Sequence, residues 1–173
     1  TLTGSEIDAD LLGQIHAFHA ATFIRHGHLP YLTLECLQAM AMGLGDALIV
    51  KLARRHGRPI AAALFFRSAT TLYGRYWGAD ADYHSLHFEA CYYQGIELCI
   101  AAGLQRFEPG TQGEHKLARG FTPVVTRSAH RLAHPQFSRA IADYLARERL
   151  DVHAYVNELN EHAPFKKVLM AEK

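Results

Sequence analysis

The sequence predicts a mixed α/β fold in three layers, with an antiparallel meander followed by one parallel crossover. Three strand-like segments, at residues 46–53, 60–66 and 72–77, are separated only by short polar turns, which is typical of consecutive antiparallel strands. A helix-like segment at 85–102 then leads to a fourth strand-like segment at 104–107. Such a strand–helix–strand connection makes the two strands parallel.

End signals mark the two helices that precede the meander. Ser5 and Asp8 resemble a capping box at the start of the first helix, whose apolar residues recur at helical spacing up to a loop at 26–30. Thr33 is a candidate N-cap for the second helix, and Gly43 and Gly45 lie where that helix should end. The N-terminal part of the chain is therefore predicted to be helical.

The part of the chain that follows the meander is predicted to be mixed. Gly103 should end the long helix, because glycine favours the position after a helix. Residues 111–119 are expected to form a loop and a helical turn, and residues 123–127 a last strand. Pro135 opens a C-terminal helix at the favoured first position, and residues 151–161 are expected to form a further helix.

Length and composition limit the classes of function. The 173 residues suit a single domain over residues 1–173. The net charge of +1 gives no basic surplus, so we expect no general binding to DNA or to anionic membranes. No run approaches the ~20 apolar residues that span a bilayer, and the start does not read as a signal peptide. Cys36, Cys91 and Cys99 leave one thiol over in any pairing, which indicates reduced thiols in a cytoplasmic protein.

Four segments of the sequence carry a family resemblance: Tyr31–Thr33, Leu72–Gly78, Leu86–Glu97 and Phe107–Phe121. They resemble the predicted bacterial N-acyltransferases described as FemAB-like, and the element order resembles the GNAT acyltransferase fold. The resemblance implies transfer of an acyl or aminoacyl group to an amine, in cell-wall (peptidoglycan) precursor modification. It also implies a small-molecule or peptide acceptor.

Members of that family are longer than this chain. The resemblance therefore implies that the chain is the C-terminal half of a tandem pair, with an N-terminal GNAT-like domain or a second copy as its partner. A catalytically silent binding module, for a peptide, a lipid-linked ligand or the partner domain, is the alternative interpretation, because fold alone does not fix function.

The turn after the third meander strand bears on the donor substrate. GNAT enzymes that use acyl-CoA carry Arg/Gln-x-x-Gly-x-Gly/Ala here, and its backbone amides hold the pyrophosphate. This chain has Arg75 and Gly78 in that pattern but places Asp80 at the last position, with Asp82 nearby. A carboxylate disfavours phosphate, which argues against acyl-CoA as the donor. The resemblance to the FemABX group of peptidoglycan amino-acid transferases implies aminoacyl-tRNA as the donor instead, and both donors stay open at this point.

A glycine-rich turn followed by cationic residues is a candidate anion site. Gly110, Gln112 and Gly113 precede Lys116 and Arg119, which lie three residues apart on one helical face. A similar place in the FemABX group reads Lys-x-x-Phe-Gly, and this resemblance implies that Lys116 neutralises phosphate on the acceptor. A solvated, charged helix end explains the same residues equally well.

Candidate proton-transfer groups come from the long helix and from the glycine-rich segment. Glu89, Tyr93 and Glu97 are spaced to share one helix face, with Tyr93 expected to face the sheet. Ion pairing of the two glutamates with arginines is the more favoured interpretation.

Other candidate proton-transfer groups are Glu108, Glu114 and His115. The two glutamates flank the candidate anion loop, and loops on rigid scaffolds carry function disproportionately.

Two further clusters have structural explanations at least as good as functional ones. His84, His87 and Cys91 could ligate zinc, with His115 as a fourth ligand, but their spacing matches no zinc signature. A site-lining His87 beside a buried, inert Cys91 is the better interpretation, and a Cys91 nucleophile activated by His87 has no other support.

Aromatic residues cluster on the third meander strand. Alternation places Tyr73 and Trp77 on one face, and Arg75 joins them only if Gly74 makes a bulge. These side chains could wall an acceptor pocket or pack in the core.

Overall fold

The computed structural model describes residues 1–110, 113–162 and 164, and it consists of two units, Thr1–Gly110 and Thr111–Lys173. Unit 1 contains the sheet. Its strands follow one another across the sheet in chain order: β1 (Leu2–Thr3), β2 (Leu48–Arg55), β3 (Arg58–Arg67), β4 (Thr71–Ala79) and β5 (Arg106–Glu108).

The pairing of the strands confirms the predicted meander and crossover. β1 through β4 are antiparallel, and β5 pairs in parallel with β4. A two-residue turn joins β2 to β3, with positive φ at both His56 (50°) and Gly57 (81°). Positive φ at both positions is the requirement of the tight hairpin turns that match strand twist.

Helices cover both faces of the sheet and build two cores. The helices are α1 (Ala9–Arg25), α2 (Leu34–Leu44), α3 (Leu86–Phe88) and α4 (Gln94–Ala102), with a π-helical turn at Glu89–Tyr93 between the last two. Side chains alternate across β2, so Leu48 and Val50 join the core under α1 and α2, whereas Ile49 joins the core that contains Cys99 of α4.

Helix ends agree with the sequence at α2 and differ at α1. The Thr33 Oγ1 atom accepts a hydrogen bond of 3.2 Å from the Cys36 N–H, as predicted for an N-cap. α1 instead begins after Asp8, whose Oδ1 atom accepts from the Leu11 N–H at 2.8 Å. The capping box predicted at Ser5 is wrong, because the Ser5 hydroxyl donates to Asp46 Oδ1 at 3.0 Å.

A β-bulge shifts the register between β3 and β4. Leu64 is opposite Tyr76 and Phe65 is opposite Gly74, so Arg75 is the extra residue. From the sequence, a bulge at this point is only a condition for the position of Arg75, and the structure contains one. The expectation that Tyr73 and Trp77 share a face is wrong, because one added residue reverses the alternation between them.

The π-helical turn changes which side chains of the long helix face the sheet. The helix spans the predicted segment and ends at Gly103 with φ 64°. Tyr92 is buried at 4% exposure, whereas Tyr93 is 45% and Ile100 77% exposed. The expectation that Tyr93 faces the sheet is therefore wrong, because a π turn adds one residue to the helical repeat.

The regular secondary structure in the described residues of unit 2 is helical, and residues 120–134 form an irregular segment. A 3₁₀ helix covers Glu114–Arg119, and one long helix, α5, covers Pro135–Glu161 with Pro135 in its first turn, as predicted. The two predicted C-terminal helices are thus a single helix. The strand predicted at 123–127 is absent from the described structure, where Val124 is 72% exposed, because a strand forms only beside a partner strand.

Gly78 provides a test of how closely α1 packs on β4. A Cβ atom at Gly78 would lie 2.3 Å from the His19 backbone N atom and from the Phe18 carbonyl C atom. We expect Gly78→Ala to lower the free energy of unfolding by about 3 kcal/mol or more, since neither backbone can move aside cheaply.

Gly13, within α1, is the matched control for Gly78. No atom lies within 4 Å of a Cβ added at Gly13. Gly13→Ala should stabilise the chain by about 0.5–1 kcal/mol through helix propensity. Urea denaturation measures both changes, and equal effects of the two substitutions would contradict the close packing of α1 on β4.

Candidate functional site

The candidate site lies where the pairing of β4 with β5 stops. The two strands pair over Thr71–Tyr73 and Arg106–Glu108. Pro109 follows directly and has no N–H to continue the ladder. A Cβ atom at Gly74 would lie 3.5 Å from Pro109 Cα, so these two segments of the backbone are still close together at that point. Beyond Gly74, the edge of β4 borders a cleft instead of a strand.

The cleft encloses about 140 Å³ and combines backbone edge, aromatic rings and a few polar groups. Its floor is the bulged part of β4 with the facing residues of β3. One wall is the helix segment that carries His87, Cys91 and Tyr92, and Pro109 and Gly110 close it below. From β4 it is lined by Gly74, Arg75, Tyr76 and Trp77.

Ring contacts hold the imidazole of His87 in the wall of the cleft. The His87 ring lies 5.4 Å from the Trp77 ring and 5.4 Å from the Tyr92 ring, in edge-to-face arrangements. The exposed Arg75 guanidinium lies 4.9 Å from the centre of the Tyr76 ring. The cleft therefore presents an imidazole, a thiol and a guanidinium to whatever enters it.

The structure brings together three of the predicted site residues, Arg75, Trp77 and Gly110, all of which line the cleft. The predicted Tyr93 is on the outside of the helix, and its place is taken by Tyr92.

The carboxylates of unit 1 are engaged away from the lining of the cleft. Gln94 Nε2 donates hydrogen bonds of 2.9 Å to both Glu89 and Glu97, and Lys51 Nζ donates to Gln94 Oε1 at 3.4 Å. The favoured pairing of these glutamates with arginines is thus replaced by a shared glutamine. Glu108 lies 3.9 Å from Arg106 in an exposed ion pair.

The remaining predicted residues belong to unit 2. Glu114, His115, Lys116 and Arg119 lie on the 3₁₀ helix, whereas Gln112 lies outside the described residues. Arg119 Nη1 donates to the His115 carbonyl oxygen at 2.6 Å. Desolvation, then the charges of Lys116 and Arg119, lower the pKa of His115 below its usual value.

Gly113 and Glu114 complete the local geometry of unit 2. Gly113 has φ 104°, and a Cβ atom there would lie 2.3 Å from the His115 ring, so glycine is required. Glu114 accepts a hydrogen bond from the Tyr155 hydroxyl, which raises the pKa of Tyr155. These two side chains line a groove of about 570 Å³ with Glu158 and His162 of the same unit.

One notable residue was missed by the sequence reasoning. His19 of α1 is only 2% exposed, and neither of its ring nitrogens has a hydrogen-bond partner among the described residues. Its ring contacts those of Phe23 at 4.5 Å, Tyr76 at 5.2 Å and Tyr31 at 6.1 Å. The sequence did contain one indication that His19 is buried: it lies four residues after the apolar Ile15, and therefore on the same face of the helix.

No metal centre emerges from the described part of the chain. Residues 1–110, 113–162 and 164 contain no group of three or more His, Cys, Asp or Glu side chains arranged to hold a metal ion. Likewise, no helix in that part has both the length and the hydrophobicity for a membrane crossing.

Comparison with known proteins identifies the family. A family model named FemAB-like, described as peptidoglycan biosynthesis/recognition, matches residues 1–167. The chain belongs to the FemAB-like family. No curated protein gives a significant match to this FemAB-like chain.

One solved structure shares the fold of the FemAB-like chain, and a second aligns more weakly. A possible acetyltransferase from Clostridium difficile 630 aligns with a TM-score of 0.55 and 11% identity, over 74% of this chain and 95% of that one. A protein described as an acetyltransferase of the GNAT family, from Xanthomonas campestris pv. campestris, aligns with a TM-score of 0.44 and 20% identity, over 71% and 87%. The alignment with the Clostridium difficile protein shows a shared fold and agrees with the predicted mixed α/β class.

The buried His19 predicts an acid-sensitive component of stability. Burial, then the charges of His16 and Arg75, lower the pKa of His19 below the ordinary 6.5. The unfolded chain therefore binds this proton more readily, so the contribution of His19 to stability is present above pH 6.5 and is lost as the pH falls toward the lowered pKa.

The difference between the wild type and His19→Phe isolates this component from the other histidines. Urea denaturation at pH 8 and at pH 5.5 should show a larger loss of stability on acidification in the wild type than in the variant. Equal losses would show that His19 is not buried in its neutral form.

Proposed function

We propose that this FemAB-like chain is an N-acyltransferase domain that transfers an acyl or aminoacyl group to an amine during modification of peptidoglycan precursors. The observation that carries the proposal is the bulge at Arg75, located at the edge of β4 where the pairing with β5 ends. The family supports the link to peptidoglycan.

Acyl transfer needs a hydrogen-bond donor beside the carbonyl oxygen, and the bulge offers a backbone N–H group for this purpose. Arg75 has no counterpart in the β3 register, and a bulge turns backbone groups out of the ladder. We assign a backbone N–H at this point to the developing oxyanion, because preorganised donors at that oxygen are a major source of catalysis. The same bulge places the Arg75 side chain in the lining of the cleft.

The size of the cleft fits an acyl group rather than a whole donor molecule. Its volume of about 140 Å³ is below the roughly 300–1,000 Å³ typical of pockets that enclose drug-sized ligands. The remainder of the donor would therefore lie outside the cleft.

The contacts after β4 favour an aminoacyl ester over acyl-CoA. The Asp80 N–H already donates to the Ile60 carbonyl oxygen at 2.9 Å, and Arg25 donates to the carbonyl oxygens of Ala79 and Asp80 at 2.9 and 3.3 Å. The neighbouring Asp80 raises the pKa of the Tyr83 phenol. A turn with its amide engaged and a carboxylate present is poorly suited to pyrophosphate.

We assign to His87 the donation of a proton to the leaving oxygen. In the reaction, the amine nitrogen bonds to the carbonyl carbon, the ester C–O bond breaks, and the leaving oxygen takes a proton. An imidazole is the side chain best matched to that transfer near neutral pH. His87 lines the cleft and is fixed by the Trp77 and Tyr92 rings.

Replacement of His87 tests the proposed function, with His84 as a matched control. His84 is exposed, lies three residues earlier, and is not among the residues that line the cleft. His87→Gln should lower the rate of amide formation from alanyl-tRNA and a primary amine at least tenfold. His84→Gln should leave that rate within about twofold. Amide product detected by mass spectrometry is the measurement, and no product from the wild type would refute the proposed function.

Lys116 and Arg119 of unit 2 are proposed to hold phosphate of a substrate. They are two cations on one short 3₁₀ helix that follows a glycine of positive φ, a geometry suited to anions. This role is independent of the acyl cleft of unit 1 and has its own test.

The affinity for the donor tests the role of Lys116. We expect Lys116→Ala to weaken the binding of alanyl-tRNA about tenfold, whereas Arg147→Ala, which removes an exposed positive charge of α5, should change it little. Calorimetry with acetyl-CoA should detect no binding. Saturable binding of acetyl-CoA would overturn the preference for an aminoacyl donor, and equal effects of the two variants would overturn the role of Lys116.

One observation favours the alternative, a binding module without chemistry. In the described residues the cleft has no carboxylate among its lining side chains. A module would bind a peptide, a lipid-linked ligand or the predicted partner domain in this cleft. Such a module would leave every donor intact, so the product assay above also separates the two functions.

A further inference from the structure

His19 is the polar group of the described structure that most needs an explanation. Its side chain is 98% buried, and its two ring nitrogens make no hydrogen bond to any described residue. Buried polar atoms almost always have a partner, and leaving one without costs about 1–3 kcal/mol. An apolar residue would fill the same space without that cost, so the imidazole points to a ligand.

Aromatic side chains surround the imidazole on several sides. The rings of Phe23, Tyr76 and Tyr31 lie 4.5, 5.2 and 6.1 Å from the His19 ring. Burial, then the neighbouring Tyr31, raise the pKa of Tyr76. Tyr31 is 57% exposed and belongs to the segment between α1 and α2, so it is the outer boundary of this aromatic enclosure.

The enclosure and the acyl cleft share two residues. Tyr76 contacts the His19 ring and also lines the cleft. Arg75 lines the cleft, lies on the Tyr76 ring at 4.9 Å, and acts electrostatically on His19. Tyr76 therefore connects the aromatic surroundings of His19 to the edge of β4 at which the proposed acyl carbon is held.

We propose that His19 binds the amine of the acceptor and removes the proton from its nitrogen as the amide bond forms. This inference rests on the proposed function and assigns it a base. The amine proton passes to a His19 ring nitrogen, the new N–C bond forms, the ester C–O bond breaks, and His87 protonates the leaving oxygen. After the transfer, water takes the proton from His19 and restores the one that His87 gave up, so both groups return to their starting states.

The surroundings favour a neutral imidazole and a neutral amine. The groups that face His19 are His16 on its own helix, Tyr31 from the following segment, and Arg75 and Tyr76 from β4. Cys36 of α2 interacts electrostatically with Tyr76. The guanidinium and the burial both lower the pKa of His19, and a cation nearby also disfavours an ammonium ion. The expected acceptor is thus a primary amine on a slender chain that enters beside Tyr31.

Binding can be tested without any acyl transfer. We would titrate the ¹⁵N-histidine-labelled chain with glycinamide, a small primary amine, and follow the imidazole nitrogens by NMR. The His19 signals, identified by their loss in His19→Phe or in His19→Gln, should shift saturably, and His153→Phe on the exposed face of α5 should not change that shift. His19 signals unchanged up to the solubility of glycinamide would overturn the inference.

The pH profile of transfer separates a catalytic role from a packing role. The wild-type rate should fall as the pH drops through the lowered pKa of His19, and His19→Phe should be about 100-fold slower without that acid limb. Phe23→Leu disturbs the same ring cluster but leaves His19 in place, so this variant should retain the fall in rate at low pH.

The outcomes distinguish this inference from the proposed function. Transfer by His19→Phe at the wild-type rate and pH profile would overturn the role of His19 and leave the proposed function standing. Absence of transfer in the wild type, together with a saturable glycinamide shift, would remove the proposed function and retain His19 as an amine-binding residue.

Discussion

The register shift at Arg75 is the constraint on which the arrangement of unit 1 depends. β4 has one extra residue opposite β3. As a result, Tyr76 lies opposite Leu64 and packs on the face covered by α1, whereas Trp77 lies opposite Ala63 and packs on the face covered by α4. Without the bulge every side chain beyond it would change faces. The backbone of α1 then packs on Gly78 so closely that no Cβ fits there, which holds His19 against Tyr76.

A second irregularity, the π-helical turn, completes the cleft from the opposite side. It places Tyr92 in the wall and turns Tyr93 outward. Such turns concentrate at functional sites, because they re-aim one side chain without ending the helix. Here the re-aimed tyrosine contacts the His87 ring, so one added residue in β4 and one in the helix together define what the cleft presents.

The distribution of titratable groups shapes the proposed chemistry. The carboxylates that sequence suggested for unit 1 are held by Gln94 or by Arg106, away from the lining of the cleft. Histidine lies on both sides of the bulged edge instead, with His87 in the cleft and His19 against Tyr76. A pair of imidazoles in different surroundings suits an acid and a base of one reaction.

The sequence by itself determined the class of fold, the meander of β2 to β4, the hairpin, the crossover to β5 and the helix ends at Thr33, Gly103 and Pro135, because period, turn residues and caps are local. It also located Arg75, Trp77 and Gly110. It did not predict the short strand β1. It did not determine whether residues 123–127 pair as a strand, since pairing depends on a neighbour distant in sequence. Only the tertiary structure decided which tyrosine faces the cleft and that His19 is buried without a partner, because single-residue insertions and burial depend on packing between elements.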